Sequence, residues 1–285
     1  MMNKKALLIC GQMRSGTTLL ANFLNAQKSI SVHRDRATVL FRTQDGIEHP
    51  LDFSLQIDQQ QRESIQLSLD KNIRKIFEAK EKDNKRIEAG IEEQYMLKFD
   101  TKTCRNYRDI IHQCFEQMAA PQDSYVGTKV TLCEHNVPPF LQQFNGKAIG
   151  IVRNPLNVIS SLISRQFFDG RKAPLASTYI RSWKRGTNRL LQCKDANLLL
   201  LKFEDFVGNK TETCEKLSAF LELDINPNID QLFDYGLPWK GNSSFQQNLS
   251  VADESVITRK VTLPKHIEDE ILSTCNDEMQ KFGWI

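Results

Sequence analysis

The sequence predicts an α/β fold, a central and mostly parallel β-sheet with helices on both faces. Three observations carry this prediction. Apolar runs of strand length alternate with stretches of helical period, and the first run leads straight into a glycine-bracketed turn and a helix start. A hydrophobic content of 40% over 285 residues is enough to fill a large core.

Taken in order, Lys5–Cys10 is the first strand, because Ala6 to Cys10 is unbroken apolar sequence, the pattern of a strand buried on both faces. Thr17–Ala26 follows as a helix. Further strands are expected at Ser124–Lys129, Lys147–Val152 and Asn197–Phe203, and further helices at Tyr107–Met118, Leu156–Phe168 and Thr178–Cys193. This βαβ alternation places a ligand at the carboxyl ends of the strands. From about Leu55 to Ile91 the rhythm breaks. Ile65, Leu69, Ile73, Ile76 and Phe77 recur at helical steps beside the charge run EAKEKDNKR, which predicts an amphipathic helical insertion, about residues 52–118, serving as an edge helix or a lid. After Asn226 the chain is loop-rich, with PWKGNSSFQQNLS at 238–250, and it finishes in a helix from about Pro264 to Phe282. The whole of 1–285 reads as one domain.

Thirty-eight basic and 35 acidic residues leave a net charge of +3, too slight to indicate a nucleic-acid partner, so any positive field is local. Seven cysteines without a C-x-x-C pair argue against a disulfide framework or a zinc ribbon and for a reducing compartment, hence a cytoplasmic location. Nothing approaches the roughly 20 apolar residues of a membrane span. The short run after the two N-terminal lysines reads as the first buried strand rather than a leader. Oligomeric state is not encoded in any pattern of the sequence.

The turn after the first strand, in GQMRSGTTLL at 11–20, is an anion cradle. Gly11 and Gly16 allow backbone N–H groups to wrap a phosphate, and the helix that follows aims its positive end at the same point. The spacing is that of a P-loop, which makes the fold P-loop NTPase-like with three layers, but Thr17 stands where the lysine is expected and Arg14 supplies a cation instead. Without that lysine, and with no clear magnesium aspartate, the loop suits a shorter phosphate chain and needs no metal. A second anion site is legible after the strand ending at Val152. Arg153 stands where the strand runs out, Pro155 falls in the first turn of the next helix, and Ser161 and Arg165 share one face of it.

Together these two elements resemble the sulfotransferase family, which moves a sulfuryl group from 3′-phosphoadenosine 5′-phosphosulfate (PAPS) to an acceptor hydroxyl. The resemblance implies that Arg14, Ser15, Gly16, Thr17 and Thr18 grip the 5′-phosphosulfate and that Arg153 and Ser161 grip the 3′-phosphate, with Arg165 matching a further arginine of the tyrosylprotein branch. It also implies that Lys129 reaches the transferring sulfate. The segment KGNSSF and Thr258-Arg259-Lys260 resembles the late loop that closes over the nucleotide, with Ser243, Ser244 and Phe245, and then Arg259 or Lys260, as contacts. Phe203 stands where the tyrosylprotein branch has a tyrosine, so that hydrogen bond is missing.

Sulfuryl transfer needs in-line positioning, cations against the developing charge, and a base for the acceptor proton. Cytosolic members place a histidine two residues after the strand-end lysine, but here that position is Thr131. Counting forward from the loop to where the tyrosylprotein branch has its glutamate reaches Asp35, with His33 two residues away. Asp35 would have to be raised from about 4 by burial, while His33 with an ordinary value near 6.5 would not. A plain surface turn is the third possibility. Glu134 and His135 read as solvated loop residues, Cys104, His112 and Cys114 lack metal-ligand spacing, and Trp183 reads as the apolar anchor of a basic helix. Two other classes stay open on sequence grounds, an ATP-dependent P-loop kinase and a non-catalytic anion-binding protein of the same fold.

Overall fold

The structure is a computed structural model describing residues 4–41, 50–82, 91–169, 175–229, 231–239 and 263–285, with the main chain alone for 79–82, 91 and 165–169. Five strands form one parallel sheet: β1 (Lys5–Gly11), β2 (Ile30–Arg34), β3 (Tyr125–Thr131), β4 (Gly146–Val152) and β5 (Leu198–Lys202), in the order β2-β3-β1-β4-β5. β1 is central, paired with β3 on one side from Lys5↔Tyr125 to Gly11↔Thr131 and with β4 on the other. The α/β class with a central parallel sheet is as expected. β2, which is not among the strands expected from the sequence, is an edge strand in which only Ile30 and Val32 are apolar.

Period two divides the core between the faces of β1. Leu7 and Ile9 face α1 (Thr17–Asn25), and with Phe23, Leu24, Tyr125, Ile149, Ile151, Phe206 and Leu217 they form one buried cluster. Ala6, Leu8 and Cys10 face the other way, toward α4 (Tyr107–Met118), α5 (Val137–Gln143), α6 (Pro155–Asp169) and α7 (Ala176–Gln192), where Phe115, Phe140, Val158 and Trp183 fill a second cluster. Each wholly buried leucine or isoleucine of β1 contributes about 1.5–3 kcal/mol, which is why its apolar run admits no polar residue. β5 continues directly into α8 (Phe203–Gly208) and α9 (Lys210–Leu221), which pack on the α1 side.

The helical spacing of Ile65, Leu69, Ile73 and Phe77 falls on a helix among the described residues. α2 (Gln59–Lys82) buries Ile65, Leu69, Ile73 and Phe77 at every fourth position, and α3 (Ile91–Tyr95) follows. Ile65 and Leu69 join the main core, while Ile73 and Phe77 pack on Tyr235. Tyr235 lies in the turn of a two-residue ladder, β6 (Phe233–Asp234) with β7 (Leu237–Pro238). The single C-terminal helix expected from Pro264 breaks at Cys275 into α10 (Lys265–Thr274) and α11 (Asn276–Lys281). Among the described residues no helix is long and apolar enough to cross a membrane.

Candidate functional site

Strand order reverses beside β1, so the crevice lies at the carboxyl ends of β1, β3 and β4. The loop after β1 occupies it. Ser15 N–H donates to the Gln12 carbonyl at 3.2 Å, Arg14 adopts a left-handed φ of 68°, and Gly16 is the N-cap of α1 with φ 87°. Only glycine fits at Gly16, because a Cβ there would lie 2.2 Å from the Phe203 ring. Gly16 has no side chain to cap the helix, so the first N–H groups of α1 stand without an intrahelical partner. The buried Ser15 hydroxyl likewise finds no hydrogen-bond partner in the protein, and Thr17 and Thr18 are buried beside it. Open N–H groups, an unsatisfied hydroxyl and a helix N-terminus are together suited to an anion.

The residues expected to form a second anion site lie against this loop. Asn154 caps α6, its Oδ1 accepting from Leu156 N–H at 3.0 Å, and Pro155 begins the helix. Arg14 Nε donates to Ser161 Oγ on that helix at 2.9 Å, and Arg153 Nη1 donates to the Arg14 carbonyl at 3.2 Å. The guanidinium of Arg153 lies over the Phe203 ring, 4.3 Å from its centroid, so Phe203 touches both Gly16 and Arg153. Burial, together with the nearby Arg14 charge, pushes Arg153 down to about 10 against the pull of Glu204. Two cations sharing a buried corner repel, and an anion between them would relieve that repulsion. Glu204 is itself pushed up by burial, although its Oε1 accepts from Asn154 N–H at 3.0 Å. Arg165 falls on α6.

Lys129, on β3, is level with Ile9 on β1 and with Arg34 on β2. It faces the α1 side, following Tyr125 by period two, and is buried to 3% exposure. Its Nζ pairs with Asp35 Oδ1 at 2.9 Å. Burial pushes the Lys129 ammonium down and the Asp35 carboxylate resists, with the net shift downward. Asp35 begins the turn after β2 with a left-handed φ of 57°, receives Thr38 Oγ1 at 3.4 Å, and has a side chain one-third exposed, so the burial expected of a base at this position is not found. Arg34 lies 3.7 Å from its other oxygen and 3.5 Å from Asp234. Arg36 points elsewhere, donating to carbonyls of Gln94, Tyr95 and Met96 at the end of α3.

His33 does not join this pair. It points to the opposite face of the sheet, where its Nε2 meets the Met118 carbonyl at 3.3 Å and its ring packs edge-on to Tyr95. Burial, and then the Arg36 charge, push it down to about 4. Ser243, Ser244, Phe245, Arg259 and Lys260 lie outside the described residues. Glu134 and His135, expected in solvent, are buried at 2% and 8% exposure. Trp183 is buried as expected and holds the Arg153 carbonyl through Nε1 at 3.0 Å. Among the described residues no group of three or more His, Cys, Asp or Glu side chains is placed to hold a metal ion, and the cysteines are free thiols.

Residues 6–227 match the model of the sulfotransferase family. A sulfotransferase domain from the curacin biosynthetic pathway has the same fold, with a TM-score of 0.58 and 17% identity, and the match covers 96% of this chain and 98% of that one. The sulfotransferase domain of an olefin synthase from Synechococcus PCC 7002 gives a TM-score of 0.59 at 15% identity, covering 97% and 95%. No curated protein sequence matches.

Proposed function

The chain belongs to the sulfotransferase family, and from that premise we propose that it transfers a sulfuryl group from PAPS to an acceptor hydroxyl, with Asp35 as the base. The observation that carries this reading is the convergence of Arg14, Ser161 and Arg153 beside the N-terminus of α1, with the Lys129–Asp35 pair on the neighbouring strands. What PAPS supplies when bound is an activated sulfuryl group, whose S–O bond to the 5′-phosphate breaks as the acceptor oxygen bonds to sulfur.

In this scheme the N–H groups of α1, Ser15 and the two threonines hold the 5′-phosphosulfate. Arg153 and Ser161 hold the 3′-phosphate, and Phe203 backs the arginine through its ring face. Lys129 and Arg14 carry the positive charge against the negative charge that develops on the leaving oxygen. Because Lys129 is buried, its charge acts across a low dielectric. Asp35, whose side chain is one-third exposed, takes the acceptor proton, and its partner Lys129 holds it at the sulfuryl end of the site. Asp35 is preferred over His33 because it shares a face with Lys129, whereas the His33 ring is engaged on the other side of the sheet.

Calorimetric titration with 3′-phosphoadenosine 5′-phosphate (PAP), without metal and beside a magnesium-ATP control, tests the donor assignment. PAP alone is expected to bind. Arg14→Ala and Arg153→Ala are each expected to weaken it at least about tenfold, the effect of losing a charged hydrogen bond of about 1.5–3 kcal/mol. Full affinity in either variant removes the site assignment, and preference for magnesium-ATP would favour the alternative of an ATP-dependent P-loop kinase.

A further inference from the structure

The chemistry above leaves one buried polar cluster unused. Gln12, the second residue of the anion-binding loop, is buried with its amide directed toward α7 and the segment after β3. Its Nε2 donates to Glu134 Oε1 at 2.9 Å, and its Oε1 accepts from Ser182 Oγ at 3.2 Å. Gly186, one helical turn beyond Ser182, closes the space behind it. A Cβ at that position would lie 2.1 Å from Gln12 Nε2 and 3.1 Å from Glu134 Cδ.

Side chains in the interior lose hydration, so a carboxylate at 2% exposure is stable only where polar partners meet it. The amide of Gln12 is one of those partners, and both of its ends are engaged by elements distant in sequence. The main chain of Gln12 carries the loop as well. Its carbonyl accepts the Ser15 N–H that closes the turn, and the left-handed Arg14 and the N-cap Gly16 stand on that turn. Fixing the Gln12 side chain therefore fixes the peptide from which the anion cradle hangs.

We propose that Gln12 is a positioning residue for donor binding, its amide held by Glu134, Ser182 and the bare Cα of Gly186, so that α7 sets donor affinity without touching the donor. This rests on the donor-site assignment given above. It follows that Gly186 is required for space rather than for backbone freedom, since alanine is otherwise the better helix former.

The test uses the full chain with Gln12→Ala, Gly186→Ala, the double variant and Gln12→Met, which keeps the length of glutamine and lacks its amide. PAP affinity, urea unfolding and hydrogen exchange of the amides of residues 12–18 without ligand are measured on each. Each single variant is expected to bind PAP about tenfold more weakly, to unfold at a lower urea concentration because Glu134 loses a partner or Gly186 is overpacked, and to exchange faster at residues 12–18 than in the rest of the sheet. In turnover the loss falls on KM for PAPS and not on kcat. The double variant is expected to bind no more weakly than Gln12→Ala, because the added methyl then meets only Glu134. Wild-type affinity and exchange in Gln12→Ala or Gln12→Met would overturn the proposal, as would additive losses in the double variant. If Gly186→Ala does not fold, the two Gln12 variants decide. If the wild-type chain does not bind PAP, the donor assignment fails, and the exchange comparison still decides whether Gln12 holds the loop.

Discussion

Asp35→Asn separates a catalytic role for Asp35 from a merely structural one. The substitution keeps a side chain of the same shape and an oxygen able to accept from Lys129, but it removes the negative charge that faces the buried ammonium at 2.9 Å. Removing one partner of a fully buried pair costs about 3–5 kcal/mol. Here one partner is one-third exposed and screened, and the hydrogen bond survives, so the expected loss is about 1–2 kcal/mol. In a domain of this size that lowers the melting temperature by about 2–3 °C. PAP affinity should stay within about threefold, because the phosphate contacts assigned to α1, Arg153 and Ser161 are untouched. The rate of transfer should fall further, by about 10² to 10⁴, the usual contribution of a positioned general base. The assay is single-turnover transfer to a panel of hydroxyl acceptors, run beside differential scanning calorimetry and PAP titration. A variant that retains more than about a tenth of the wild-type rate would refute Asp35 as base. A rate loss matched by an equal loss of PAP affinity would make it only a holder of Lys129.

Gly16→Ala places a Cβ at φ 87° and 2.2 Å from the Phe203 ring, so left-handed strain of about 1–2 kcal/mol adds to ring displacement, for a total of about 2–4 kcal/mol. Urea unfolding at wild-type stability would mean that the loop does not have this form. His33, at about 4 when folded against 6.5 when free, stays neutral in the fold while the unfolded chain takes up a proton. Its contribution is therefore fully present above about pH 6.5 and is lost as the pH falls toward 4, up to about 3 kcal/mol. His33→Gln should flatten that part of the stability profile, and an unchanged slope between pH 6.5 and 4 would show that the ring is not buried as described.

The parts of the site that were legible in the sequence are those that a strand or helix period announces. Ala6–Cys10 had to be a buried strand, and a buried strand running into two glycines and a helix start has little else to be. Pro155 marked the start of α6 through its fixed φ, which put Ser161 two turns along the same helix as Arg165. β2 was not legible, because an edge strand of five residues with Ser31, His33 and Arg34 carries too few apolar positions to show period two. Asp35 consequently carries no signal of its own beyond its distance from the loop. Only the strand makes clear that it and His33, two residues apart, belong to different surroundings, the left-handed turn at Asp35 bringing its carboxylate to Lys129. Gln12 and Glu134 are 122 positions apart with no shared pattern, so their contact could come only from the folded chain. The break at Cys275 left no proline or glycine to mark it.

Asn72 of α2 donates to the Asp35 carbonyl at 2.8 Å, and Arg36 grips the last carbonyls of α3. An engineer wishing to exchange the helical insertion for that of a relative would thus cut through the turn that carries Asp35, the proposed base. A transplant confined to the helices would leave Asp35 without its anchor. A graft with a chance of keeping activity has to take the segment from Asp35 to the end of α3 as one unit, with its counterparts of Asn72 and Arg36 intact.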